Sequence, residues 1–268
     1  MKALVTSKRY LRVFLALMKI HIQAILEYRL DFFINIFTQI ISIATYIVLI
    51  EVIFNHTDNL AGWSKYEIIF IYGIFAALKP LLVNFIFINL SNLSKVIVNG
   101  ELDKFLSKPI STLFLISFAN VNFLEMGKGI VGICIIIYAL PHINLLINLA
   151  SITLFVFMLL MLIIIFYCIF LSFFTLSFWL GPISHGFWIF DSLSSIGTLP
   201  LSAFKGGWNI VFNILLPFVL YGAVPAGIML GKFDYNYVFI YLVVALIWTI
   251  IAIFTWKKGL GSYTSANL

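Results

Sequence analysis

Residues 129–190 read GIVGICIIIYALPHINLLINLASITLFVFMLLMLIIIFYCIFLSFFTLSFWLGPISHGFWIF, without one Lys, Arg, Asp or Glu. A hydrocarbon core about 30 Å thick is crossed by roughly 20 apolar residues of helix, so this run is too long for one span and needs a turn inside it. Pro141-His142-Ile143-Asn144 supplies a first turn and Gly181-Pro182 a second. The stretch therefore belongs to a span from about Ile110 to Leu140, a span from about Leu146 to Leu180, and another starting near Ile183.

Composition extends this reading to the whole chain. Of its 268 residues 63% are hydrophobic and 10% charged, where a soluble domain carries roughly a quarter charged residues. About six spans with short connections use most of the length, which predicts an all-α polytopic membrane protein forming a single domain over 1–268. No stretch of ordinary composition remains for an independent catalytic or nucleotide-binding domain, so any energy source must come from elsewhere. The net charge of +6 does not point to nucleic acid, because the basic residues sit at the edges of apolar segments. Cys134 and Cys168 lie inside apolar runs without metal or redox spacing and read as small buried hydrophobes.

Outward from the central run, residues 1–27 carry Leu4, Leu11, Phe14, Leu15, Met18, Ile22 and Ile25 at helical spacing beside Lys8, Arg12 and Lys19. This is an amphipathic helix suited to the membrane interface, its cations near anionic lipid headgroups, and it lacks the pattern of a cleaved signal peptide. A first span covers about Phe32 to Phe54, with Asn35, Thr38, Gln39, Ser42 and Thr45 expected to face other helices. Asn55 to Ser64 has no Lys or Arg and reads as external. A second span, about Tyr66 to Leu93, contains Lys79-Pro80, where a kink and a cation in need of a partner are expected. Residues 94–111 then bring back Lys95, Lys104 and Lys108. Residues 200–231 are apolar but broken by Pro and Gly, which suits a re-entrant helical hairpin before a last span at about Tyr237 to Trp256. The even number of spans puts both termini and the 94–111 loop in the cytoplasm.

No phosphate-loop motif is present, and the four histidines never pair at metal-helix spacing. Ser184-His185 lacks the arrangement of a nucleophile and base. The chain is therefore not expected to be an enzyme, and carries no cofactor of its own. Ionisable residues inside apolar runs are more informative, since each costs on the order of 2.5 to 3.5 kcal/mol at a helix centre on insertion scales. Glu125 and Lys128 stand three apart with Asn122 on the same helical side, either as a polar patch on a translocation path or as a structural ion pair. Asp191, without an evident partner nearby in sequence, is a candidate for a cavity-facing residue.

The stretch Asn99-Gly100-Glu101-Leu102-Asp103-Lys104-Phe105-Leu106-Ser107-Lys108-Pro109-Ile110 resembles the cytoplasmic signature of a bacterial branch of type 2 ABC-transporter permeases. Leu199-Pro200-Leu201-Ser202-Ala203-Phe204, the pair Leu216-Pro217 and Val224-Pro225-Ala226, and the tail Trp256-Lys257-Lys258-Gly259-Leu260 with Tyr263 follow in the same order. The tail departs from the family at Thr264-Ser265-Ala266, where glycines are usual, which argues against a tail-specific contact. The resemblance implies a bacterial inner-membrane half-transporter. Two permeases, identical or sister chains, would pair over separate ABC ATPase subunits that bind ATP and Mg. Gly100, Glu101, Leu102, Asp103, Lys104, Lys108 and Pro109 would form the coupling surface. An exporter is the first expectation, and an ion-coupled secondary transporter or channel using Asp191 and Glu125 is the alternative. The aromatic share of 17% is compatible with a hydrophobic or amphipathic cargo.

Overall fold

The computed structural model describes residues 2–27, 29–120, 123–143, 148–183, 186–198 and 221–264. Helix α1 (Lys2–Glu27) precedes α2 (Arg29–Phe54). Next come α3 (Lys65–Leu81) and α4 (Ile88–Val98), joined by a π-helical stretch over Leu82–Phe87. The short helices α5 (Asp103–Leu106) and α6 (Thr112–Ser117) lead to α7 (Phe123–Ala139). Then follow α8 (Leu149–Thr175), α9 (Ser177–Leu180), α10 (Gly186–Ser194), α11 (Ala223–Met229) and α12 (Asn236–Ser262). Among the described residues there is no strand, only a single bridge between Leu60 and Trp63.

Among the described residues four helical stretches are long and apolar enough to cross a membrane: Leu30–Phe54, Lys65–Val98, Leu149–Leu180 and Asn236–Ser262. The expected span from Ile110 to Leu140 is instead divided. Helix α6 ends at Ser117 and α7 starts at Phe123. The break is held by the buried Asn89 of α4, whose Oδ1 accepts the Asn120 N–H at 2.7 Å. The final helix runs beyond the expected Trp256, to Ser262. Residues 199–220, most of the expected re-entrant hairpin, lie outside the described residues, whereas α11 within that region is buried along most of its length.

Lys65–Val98 is the central mast of the bundle. Pro80 has no N–H and its ring crowds the carbonyl four residues back, so an undisturbed α-helix cannot pass through it. The wider winding that follows leaves backbone carbonyls to be satisfied by side chains. Asn84 Nδ2 donates to Pro80 O at 2.8 Å, and Asn89 Nδ2 to Phe85 O at 3.1 Å. The expected kink is thus realised as a stretch of π winding lined by two buried asparagines.

Helices α3 and α7 form the most extensive pair. Their backbones approach so closely that a Cβ on Gly132 would overlap the backbone of Ala76 and Ala77, and one on Gly73 would press on Ile136. On the mast's other side Phe87 packs against the rings of Phe170, Phe174 and Phe190, with centroids 5.2, 5.3 and 5.5 Å away. Cys168 of α8 is buried as expected, but Cys134 is exposed on the uncovered face of α7, since the inward positions there are given to Gly132 and Ile135.

One end of the bundle is closed by Lys232, which bonds Glu67 Oε2 at 2.6 Å and Gly62 O at 2.7 Å and sits 4.7 Å from the Trp63 ring centre. At the same end Lys65 pairs with Glu51, and Tyr66 stacks on His142 at 4.3 Å. The close α3–α7 approach gives a direct prediction. Gly132→Ala should cost about 1–3 kcal/mol through overpacking, read as a lower melting temperature in detergent. Gly261→Ala, where a Cβ meets nothing within 4 Å, should leave melting unchanged or slightly raised.

Candidate functional site

The π-helical stretch and Pro80 border a cavity of about 300 Å³ at mid-height of the mast. Gln39 and Ser42 reach it from the middle of α2, Tyr72, Phe75 and Lys79 from α3, Asn84 from the π winding, Lys128 from α7 and Asp191 from α10. Lys79 Nζ and the Asp191 carboxylate form an ion pair at 2.7 Å, with side chains 28% and 43% exposed. These charges are therefore open to the cavity rather than sealed in packing. Lys79 also lies over the Phe75 ring, 5.4 Å from its centre. Tyr72 stacks on Tyr46 at 3.6 Å, and the Tyr46 hydroxyl donates to Thr198 O at 3.4 Å. Asn84, 1% exposed, keeps its Oδ1 without a hydrogen-bond partner.

Two of the residues expected on a path, Lys128 and Asp191, line this one cavity. Asn122 lies outside the described residues, and Glu125 is within α7 although its side chain is outside them. Asp191, unpartnered in local sequence, finds its partner in Lys79, more than one hundred residues away. Asn84 was not legible as a site residue because nothing local distinguishes it from any other amide in an apolar helix. Lys79 and Asp191 did carry a signal. Each is an isolated charge of opposite sign within an apolar stretch, and isolated intramembrane charges usually pair.

At the opposite end from Lys232, residues 94–111 close the mast. Gly100 adopts φ +69°, a left-handed conformation that glycine takes without Cβ cost. Glu101 N–H bonds to Val96 O at 2.9 Å and Gly100 N–H to Ile97 O at 3.2 Å, which is the paired helix termination that such a glycine permits. Leu102 is then fully buried and anchors the segment. It therefore faces the core, and the segment's exposed residues stand around it. Asp103, Lys104, Lys108 and Pro109 are exposed, and Glu101 pairs with Lys104 at 3.2 Å.

Both ends of the chain reach this segment. Tyr10 of α1 accepts the Ser111 N–H at 3.0 Å and meets Phe114 edge-on at 4.7 Å. From the other end, Tyr263 lies against the backbone of Leu102 and Asp103. Burial, and then the Asp103 carboxylate, push its phenol above the ordinary tyrosine range. Phe178 joins the tail through Trp256 and Tyr263, with ring centres 6.2 and 6.0 Å away, where Gly259 leaves room for it. Tyr263 thus seats the tail on this segment, whereas residues 265–268 lie outside the described residues. Ser94 Oγ completes this end by accepting from Ser177 Oγ at 2.7 Å and from Ile183 N–H at 3.0 Å.

Residues 40–267 match the model of a family described as ABC-2 family transporter protein. Neither curated proteins nor solved structures gave a match.

A side chain at Gly100 is disfavoured by its left-handed backbone, at about 1–2 kcal/mol. Gly100→Val should therefore loosen the turn and speed tryptic cleavage after Lys104 severalfold in the detergent-solubilised protein. An unchanged cleavage rate would show that the segment is not held by this turn.

Proposed function

Because the chain belongs to the ABC-2 transporter permease family, we propose that it is the membrane half of an ATP-driven exporter, with its 94–111 segment docking onto a separate ABC ATPase subunit. That subunit supplies the ATP and Mg site. The observation that carries this reading is the construction of residues 100–109. They are anchored inward by Leu102 and display Asp103, Lys104, Lys108 and Pro109 outward. An exposed surface of mixed charge on a rigid turn suits recognition of a soluble partner, with charge placement setting its register. The contacts from Tyr10 and Tyr263 would pass a displacement of this turn to both ends of the chain. The ion-coupled carrier or channel alternative finds no support in the family.

In the exporter this chain contributes six spans and pairs with a second permease, identical or a sister chain, in the bacterial inner membrane. Residues α1 would lie in the cytoplasmic interface, where Lys8, Arg12 and Lys19 are exposed beside the uncovered Leu11, Leu15 and Ile22. Both termini are cytoplasmic by the distribution of Lys and Arg. Support for a paired permease comes from α2. Its Thr38, Ser42 and Thr45 are exposed at membrane depth and continue a polar line from Asn35. Each bonds back to its own helix, for example Thr38 to Ile34 O at 3.0 Å and Thr45 to Ile41 O at 2.9 Å. Lipid tails offer nothing to such a line, whereas another helix does. The path would run beside it through the Lys79–Asp191 cavity lined also by Lys128, and Glu125 and Asn122 are kept as candidates by the sequence alone.

The test is charge reversal at Glu101 and Asp103 together, in the complex purified from its own host with its ATPase subunit. Stimulation of ATP hydrolysis by the permease should fall about tenfold, as for loss of charged contacts across an interface, while membrane insertion and melting stay unchanged. Undiminished coupling would remove the docking assignment.

A further inference from the structure

We infer that the groove between Trp179 and Lys258 binds an anionic phospholipid, its phosphate on the Lys258 ammonium and one acyl chain along α12. The inference goes beyond the permease reading and does not depend on it. The groove holds about 320 Å³ and is lined by Trp179, Phe254, Thr255 and Lys258, with no carboxylate among them. The exposed Lys258 ammonium lies 5.8 Å from the centre of the Phe254 ring, and among the described residues no acidic group pairs with it. Asp103, the acidic group beside Tyr263, belongs to the coupling turn and does not line the groove. An ammonium in this setting attracts a phosphate oxygen, whereas a cationic group meets like charge.

The depth suits a headgroup. At 1.5 Å per residue, about 30 Å of helix separates Tyr237 from Lys258, the thickness of a hydrocarbon core. Lys258 therefore stands at one border of the hydrocarbon, with Trp179, 44% exposed, beside it. An indole, apolar with one N–H donor, favours that border. From Lys258 toward the middle of α12, Phe254, Ile251, Ile247 and Val243 follow at intervals of three and four residues, which stacks them on one face of the helix. All four are exposed, because Tyr241, Ala245, Ala252 and Trp256 give the other face to the bundle. Ile247 lies about 16 Å from the level of Lys258, close to the depth of one leaflet. The track thus takes an acyl chain by packing, while the ammonium selects the headgroup. Phe178, next to Trp179, packs on Trp256 and Tyr263 with ring centres 6.2 and 6.0 Å away. A lipid in the groove therefore braces the outer side of the seam that seats the tail on the coupling turn.

The test uses the full chain in phosphatidylcholine nanodiscs that carry a low mole fraction of photoactivatable phosphatidylglycerol or, in a parallel sample, of photoactivatable phosphatidylcholine. In both lipids the reactive group is on an acyl chain, and labelled residues are mapped by mass spectrometry. The uncovered Val48, Leu49 and Val52 of α2 serve as the reference for unselective boundary lipid. Over residues 243–258 phosphatidylglycerol should label about fivefold more than phosphatidylcholine, the preference that one lysine near a charged lipid surface supplies. At the α2 reference the two should label alike. Lys258→Gln should bring the ratio over 243–258 close to one, and Lys258→Arg should keep it. Equal labelling by the two lipids in the parent chain, or an unchanged ratio in a folded Lys258→Gln protein, would overturn the inference. A high yield of disulfide-linked dimer from a Lys258→Cys chain that also carries Cys134→Ser, which removes the exposed native thiol, would give the groove to a second copy and overturn it as well.

Discussion

A helix that must cross hydrocarbon with a proline at its centre has no water to satisfy the backbone groups the proline disturbs. The mast Lys65–Val98 meets this constraint with its own side chains, and the rest of the bundle follows from that solution. Asn84 and Asn89 take up the carbonyls of Pro80 and Phe85. Asn89 then has an oxygen left over, and it holds the N–H of Asn120 where the next helix breaks. The same π winding widens the mast on the side where the cavity lies, so Lys79 and Asn84 reach one space together. The proline and the π winding after it thus border the polar pocket, and Asn89 ties the mast to the break before α7.

The two ends of the mast are finished differently. Around Lys232 the closure is electrostatic and aromatic, with a carboxylate, a carbonyl and an indole gathered on one ammonium. Around Leu102 it is a matter of backbone geometry and packing, with charges left pointing outward. The first arrangement spends its charges internally. The second leaves Asp103, Lys104 and Lys108 at the surface, with Lys104 paired to Glu101.

Much of this was legible in the sequence because hydrocarbon imposes strong rules on composition. The uncharged run 129–190 and its two turn signals located α8 and the start of α10 to within a few residues. Lys79-Pro80 announced a distortion, which the π winding after it realises. What could not be read was long-range and individual. Hydropathy treats Ile110 to Leu140 as one apolar stretch, since the break after Ser117 depends on one amide from another helix. Leu102 is flanked by charges and looks exposed, yet it is buried because the left-handed turn aims it inward. The pairing of Lys79 with Asp191 required the fold to bring α3 and α10 together.

Contact between backbones at Gly132 and Ala77 binds α3 and α7 into one body, so Lys79 and Lys128 ride on the same rigid piece. Asp191 rides on another, α10, which is attached through Phe190 to Phe87, Phe166 and Phe170. The pocket thus has a positive wall whose spacing is set by main chain and a negative wall seated on aromatic packing. Separating these two pieces by even a few ångströms would raise the electrical potential at Lys79, because the Asp191 carboxylate paired with it recedes. The bundle is built so that a mechanical displacement is also a change of field.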